Sequence, residues 1–339
     1  MGADDPPNLP LDRLGTWLEA QVPKVVPPLI GTLVAGGRSN LTYRLIDACG
    51  RSLALRRPPA HTEVPGAHDM VREFRILRSL AERSRVHVPT PLAFCRDTAL
   101  IGVSFYVMEF VEGIVARDPD TAAALPESAR RTAAFALVDE LVELHLTDAA
   151  DVGLGDLGRS TGYVERELQR WSGQISGTSA ASRLLAEVHT RLVGQMPPQR
   201  RTALVHGDYG LDNAIFAANG ELRAVLDWEL CTRGDPLADL GWLLLFWQPE
   251  SDLTEVLPRG TTLRGFPGRQ ELTSRYAAAT GAELRDLSYY VGLAAWRLAI
   301  ITLGVASRYR TGGRAGSDVD IHRLNGDVER LAIAASRHV

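Results

Sequence analysis

The segment Leu204-Val205-His206-Gly207-Asp208-Tyr209-Gly210-Leu211-Asp212-Asn213-Ala214-Ile215-Phe216 runs from an apolar strand through a short polar loop into a second apolar strand. Asp208 and Asn213 stand five positions apart in it, and fourteen residues later the apolar run Ala224-Val225-Leu226 ends in Asp227-Trp228-Glu229. Adjacent strand ends would bring Asn213 and Asp227 together. Both offer oxygen ligands, which suit a hard cation such as Mg2+ that also holds substrate phosphates. Asp208 is then left to orient an attacking hydroxyl and accept its proton. An HxDxxxxN segment followed by a metal-binding Asp is an arrangement used in phosphoryl transfer. The plainer reading of the same residues is two Asx-rich turns between buried strands.

Such chemistry needs further parts, and the upstream sequence has candidates. Ala35-Gly36-Gly37-Arg38-Ser39-Asn40 lies between two strand-like runs. Backbone N–H groups around Gly37, Ser39 and Asn40 could cradle phosphate oxygens, although a plain hairpin turn has the same composition. Arg56 ends the run Leu53-Ala54-Leu55, and Glu73 lies on the helix pattern that follows. An Arg56–Glu73 pair would present a guanidinium to the α/β-phosphates. Arg57 is the alternative cation, on the opposite strand face. Tyr106-Val107-Met108-Glu109-Phe110-Val111 is an apolar strand leading into the helical part. An adenine would lie there, against Met108 and the backbone of Glu109 and Val111; a simple crossover between lobes is the other reading.

These residues must be positioned by regular elements, and the periodicities suggest which. Leu11, Leu14, Leu18 and Val22 recur at helical spacing up to Pro23. Strand-like runs follow at 29–34, 41–46 and 53–56, then a helix pattern at 68–82 and strands at 90–95 and 104–108. After Gly113 the pattern turns helical, with Ala134, Leu137, Val138, Leu141 and Leu144 as one stripe. Further helices fit 161–175, 180–195, 236–247, 269–280, 284–308 and 318–336, around a strand-containing stretch at 202–228. The expected fold class is α+β in two lobes, a nucleotide-binding lobe at 1–110 and a catalytic and substrate lobe at 111–339.

Composition narrows the field. The 339 residues are 45% apolar and 23% charged, with a net charge of −4, which gives no global electrostatic case for nucleic acid binding. Cys49, Cys95 and Cys231 are far apart and no CxxC occurs, so neither a disulfide framework nor a cysteine zinc site is expected. MGADDPPNLP has no signal-peptide character. The longest apolar stretch, 291–306, contains Arg297 and is expected to be too short to span a bilayer. A cytoplasmic protein without a membrane partner is the expectation. Of the 37 basic residues only Lys24 is a lysine. Any role usually given to lysine must fall to it or to an arginine.

Taken together, GGRSNLTYRL, LALRRPP, HDMVREFRILRSL, FYVMEFVEG, HGDYGLDNAIF and VLDWELCTRGDPLADLGWLL resemble the aminoglycoside phosphotransferase and choline-kinase-like family. The likeness is to its branch found as kinase-like domains of acyl-CoA dehydrogenase proteins. It extends from about residue 29 to 247. It implies a two-lobed protein-kinase-like fold, with ATP, Mg2+ and γ-phosphoryl transfer to the hydroxyl of a small molecule. By the same resemblance Asp208 matches the catalytic base, Asn213 and Asp227 match the Mg2+ ligands, Glu73 matches the helix glutamate and 108–111 match the hinge. His206 would brace the loop, and His145 reads as a structural histidine. Asp235 and Asp239 read as turn and helix caps in preference to metal ligands. The chain departs from the pattern in placing Arg56 where the ATP-anchoring lysine is usual. It also lacks the Asp-Phe-Gly and activation-loop signatures of protein kinases.

The acceptor is less defined. Residues 251–339 carry twelve Arg against nine acids, net +3, which suits a neutral or anionic hydroxyl compound better than a polycation. A hydroxyacyl-CoA is the candidate the resemblance suggests, and an aminoglycoside is the alternative. Arg56 keeps open a nucleotide-binding pseudokinase acting as a regulatory module. A metal-dependent phosphoesterase would need a second His-rich motif, which the dispersed histidines do not supply.

Overall fold

The computed structural model describes residues 9–36, 40–59, 69–175, 179–248, 253, 256–310 and 320–339. Gly37 and Ser39 lie outside them. The chain forms two units, one of residues 1–112 with 224–229 and one of residues 113–223 with 230–339.

In the first unit, helix α1 (Leu11–Gln21) precedes strands β1 (Ile30–Gly36), β2 (Leu41–Ile46) and β3 (Ser52–Arg57). Helix α2 (Met70–Arg83) and strands β4 (Pro91–Cys95) and β5 (Phe105–Glu109) follow. The five strands form one antiparallel sheet in the order β1-β2-β3-β5-β4. Period-2 alternation sends Leu53 and Leu55 inward, where they meet Leu14 and Leu18 of α1, Leu45, Phe105 and Val107. Asp69 caps α2 by accepting the Arg72 N–H at 2.9 Å. Residues 224–229 join this unit through the Val225 N–H, which donates to the His87 carbonyl at 2.8 Å.

The second unit is mostly helical, with α3 (Pro119–Ala123), α4 (Glu127–Leu146), α5 (Tyr163–Ser172) and α6 (Ala180–Gly194). Short strands β6 (Ala203–Val205), β7 (Ala214–Phe216), β8 (Leu222–Val225) and β9 (Thr232–Gly234) come next, and β8 runs on into the first unit. Helices α7 (Leu237–Phe246), α8 (Arg269–Thr280), α9 (Leu287–Arg310) and α10 (Ile321–Arg337) complete it. Strand β6 pairs antiparallel with β9, which lies beyond the stretch expected to hold strands.

The apolar run 291–306 is the middle of the 24-residue helix α9. By length and composition Leu287–Tyr309 could cross a membrane, so the expectation that this run is too short does not hold. In this fold it serves as a core helix: 72% of its most apolar window is buried, and α6, α7 and α10 pack on it. The approach of α7 requires Gly241, where a Cβ would lie 2.6 Å from the Tyr290 carbonyl carbon.

Candidate active site

The second unit holds the loop between β6 and β7. Gly207 has φ +87°, and a Cβ there would lie 2.9 Å from that of Leu230, so the turn before Asp208 calls for glycine. Asp239 organises this turn from α7. Its carboxylate, 1% exposed, accepts the backbone N–H groups of His206 at 2.6 Å and Gly207 at 2.8 Å. His145 Nε2 lies 3.3 Å from the same carboxylate, and His145 Nδ1 lies 2.7 Å from the Tyr276 hydroxyl. Burial alone would raise the Asp239 carboxyl, but the hydrogen bonds and the charges of His145 and His206 hold it below the usual range. Asp239 is therefore the brace of the loop and not the helix cap its sequence position suggested. Asp235 does fit its expected turn role, accepting from the Leu237 N–H at 3.0 Å and the Tyr290 hydroxyl at 2.6 Å. His145 is a satisfied structural histidine, as expected.

His206 is fully buried and its Nδ1 accepts the Asp208 N–H at 3.2 Å. Arg297, the charge inside the apolar run, donates to the Gly207 carbonyl at 2.7 Å and stacks on Trp242 with its guanidinium 4.4 Å from the ring centroid. Nothing in the spacing of the sequence points to that contact. Asn213 Nδ2 donates to the Asp208 carbonyl at 2.8 Å and to its Oδ2 at 3.1 Å. The five-residue separation thus closes a compact Asp–Asn loop, and the amide oxygen of Asn213 is turned away from Asp208. Burial and then the Asp208 charge push the Asp212 carboxyl up to about 6.

In the first unit, Arg56 meets three carboxylates. Nε lies 3.0 Å from Glu73 Oε1, and Nη2 lies 2.5 Å from Asp227 Oδ1 and 3.9 Å from Glu229 Oε2. The expected Arg56–Glu73 pair is present. Arg57 faces the core instead, 3% exposed, with Nη2 3.3 Å from the Tyr43 hydroxyl. Burial works against the Arg56 charge, but the surrounding carboxylates hold its pKa above the ordinary value. Glu73 is 2% exposed. Burial, with Asp227 and Glu229 adding repulsion against the pull of Arg56, pushes its carboxyl up to about 7. Asp227 occupies the left-handed region at φ +64°, where Asp is among the few tolerated side chains. Glu229 was not singled out as a separate site residue in the sequence, although it closes the Asp-Trp-Glu segment.

The remaining candidates are placed as follows. Asn40 is 2% exposed, and its Nδ2 donates to Glu229 Oε2 at 3.1 Å, so its side chain serves a protein contact. Met108 is 7% exposed and pairs across the sheet with Ala54 and Pro91. At Glu109, whose backbone is an adenine-contact candidate, the N–H donates to the Thr90 carbonyl at 2.9 Å. Val111 is partly buried. The oxygen donors Asp227 and Asn213 each fit a hard divalent cation such as Mg2+ in chemical type. Among the described residues, no group of three or more His, Cys, Asp or Glu side chains is arranged to hold a metal unaided.

The model of the phosphotransferase enzyme family matches residues 30–282. The chain belongs to that family. With the family comes the two-lobed α+β fold of the protein-kinase kind. Acyl-CoA dehydrogenase family member 10 of Mus musculus is 37% identical over 290 residues, covering 81% of this chain. The chain spans only 26% of the length of that relative. A solved chain from Ralstonia eutropha, whose assignment as an aminoglycoside phosphotransferase is itself provisional, matches with a TM-score of 0.77 at 29% identity. That match covers 96% of this chain and 98% of the other. The GDP and kanamycin complex of APH(2")-IIIa shares the fold, with a TM-score of 0.63 at 16% identity, covering 95% of this chain and 98% of the other.

Proposed function

We propose that the chain transfers the γ-phosphoryl group of ATP, bound with Mg2+, to the hydroxyl of a small molecule with an apolar body, a hydroxyacyl compound being the candidate. The Asp208–Asn213 loop, braced by Asp239, is the observation that carries this reading. Asp208 would accept or orient the acceptor proton. Arg56, held by Glu73, would neutralise phosphate charge. Asp227 in the first unit and Asn213 in the second are each proposed as Mg2+ ligands. When bound, the cation would neutralise phosphate charge and fix the phosphates for in-line transfer. Everything else in the step is positioning and electrostatics supplied by the chain.

The acceptor class rests on a small open pocket within the second unit, with a cavity volume of about 40 Å3. Its walls include Leu211, Leu243, Phe246 and Trp247, with Arg117 and Asp212 as its charged side chains. It is lined by the three residues Gly210, Leu211 and Asp212 that follow Asp208 and Tyr209. One carboxylate against one guanidinium gives no excess of negative charge for a polycation, and the apolar walls favour an apolar segment. The second reading, an aminoglycoside acceptor, is favoured by the provisional assignment of the Ralstonia eutropha relative.

Mass-spectrometric transfer assays decide between them. Purified protein with Mg·ATP is offered hydroxyacyl-CoAs, amino alcohols, sugars and aminoglycosides, with Asp208→Asn as control. A phosphorylated hydroxyacyl product that is lost in the variant supports the proposal. Phosphorylated aminoglycoside alone replaces the acceptor class, and no product with any hydroxyl compound despite bound nucleotide moves the reading to a pseudokinase.

A further inference from the structure

Three carboxylates in the first unit compete for one guanidinium. Glu73 at 3.0 Å and Asp227 at 2.5 Å hold Arg56 directly, whereas Glu229 Oε2 stands off at 3.9 Å. That same Oε2 accepts a hydrogen bond from Asn40 Nδ2 at 3.1 Å. The backbone on which Glu229 sits is fixed separately, because Arg72 Nη1 donates to the Glu229 carbonyl at 2.8 Å. A swing of the Glu229 side chain would close its carboxylate on Arg56, which it already approaches to 3.9 Å.

The Asn40 amide is not oriented for its own comfort. A carboxylate accepts only, so Nδ2 must face Glu229 and Oδ1 must face away. Oδ1 is then buried without a hydrogen-bond partner. A buried acceptor in that condition is costly and persists where the rest of the structure imposes it. Here the imposing contact is the one to Glu229. We propose that Asn40 is a positioning residue: by holding Glu229 Oε2 it keeps that carboxylate from capturing Arg56, and so preserves the cation for a nucleotide phosphate. The inference rests on the phosphate-binding role proposed for Arg56.

Loss of the amide lets Glu229 pair fully with Arg56, so the deficit must vanish when residue 229 can no longer carry a charge. The experiment measures the dissociation constant of a fluorescent ATP analogue for the full chain, with and without Mg2+, in four proteins: wild type, Asn40→Ala, Glu229→Gln and the double variant. Asn40→Ala is expected to bind about tenfold more weakly. Adding Glu229→Gln to it is expected to restore binding to within about twofold of Glu229→Gln alone. An equal loss from Asn40→Ala on both backgrounds would mean that Asn40 meets the nucleotide itself, which overturns the inference and leaves the phosphotransferase reading standing. An unchanged constant in Asn40→Ala also overturns it. Absence of nucleotide binding in the wild type overturns the reading on which it rests. If Asn40→Ala does not fold, Asn40→Asp takes its place, opposing two carboxylates. Combining it with Glu229→Gln re-forms the amide–carboxylate contact with the roles exchanged and should recover binding; failure to recover while the protein is folded overturns the inference.

Discussion

The two units position their chemical groups by different physics. Around Arg56 in the first unit, placement comes from charge, with three carboxylates arrayed on one guanidinium that is 12% exposed. Around Asp208 in the second, placement comes from backbone hydrogen bonds onto one buried carboxylate, Asp239, itself tied to His145. A charge cluster is soft. Its members can redistribute their pairings as a phosphate or cation arrives. A loop whose N–H groups are fixed by a buried acid is stiff, because each displaced N–H would be left unsatisfied away from water. The contrast suits a binding group in one place and a proton acceptor in the other.

The comparison can be broken first at Asp208. Asp208→Asn removes the proposed acceptor for the hydroxyl proton and leaves the loop's bonds to Asp239 in place. Transfer should fall by about 10²–10⁴, with melting temperature and nucleotide affinity retained. Turnover near wild type in a coupled ADP assay would show that the loop does not carry the chemistry. Next comes the brace. Asp239→Ala leaves the His206 and Gly207 N–H groups without their acceptor, and should cost on the order of 3 kcal/mol or more in urea unfolding. A cost below about 1 kcal/mol would mean that the loop is held by other contacts.

The soft side is tested at Arg56. Arg56→Ala leaves its carboxylates uncompensated and should weaken nucleotide binding by about a hundredfold, whereas Arg56→Lys should keep binding within about tenfold, since a cation remains. Equal losses would show that the planar fork, and not the charge, is what matters. Phe246→Ala should raise the acceptor KM by about tenfold with kcat little changed, because a wall of the cavity contributes the same to ground and transition states. A fall in kcat alone would take Phe246 out of the acceptor site.

The smallest effect is a pH dependence. The folded Glu73 carboxyl titrates near 7, against an ordinary value of 4.5, so the native state binds a proton more tightly than the unfolded chain. Stability from this group is therefore fully present below about 4.5 and declines as pH rises through 7. Measured without nucleotide or divalent cation, Glu73→Gln should flatten that decline. An unchanged slope between pH 4.5 and 7 would place the titration elsewhere in the cluster.

Much of this was legible in the chain itself, and the reasons are local. The alternation in Leu53-Ala54-Leu55-Arg56 fixes which face each side chain takes, so the choice of Arg56 over Arg57 as the partner of Glu73 follows from strand geometry. The helical stripe of α4 and the extent of α2 follow from period in the same way. The five-residue spacing of Asp208 and Asn213 is closed by their own hydrogen bonds. What was missed lies at long sequence separation. Asp239 lies more than thirty residues from the N–H groups it holds, and Arg297 ninety residues from Gly207. Neither contact leaves a periodic mark.

The sequence by itself therefore determined most of the elements, the family and the identity of the chemical groups, because periodicity, turn residues and short-range spacing are properties of neighbouring positions. Only the tertiary structure decided what those groups touch. It made Asp239 a loop brace rather than a cap, Arg297 a half-buried donor inside an apolar helix, and Asn40 a partner of Glu229. The physical reason is that a buried polar group must find its partner wherever packing brings one, and packing is fixed by the whole core at once.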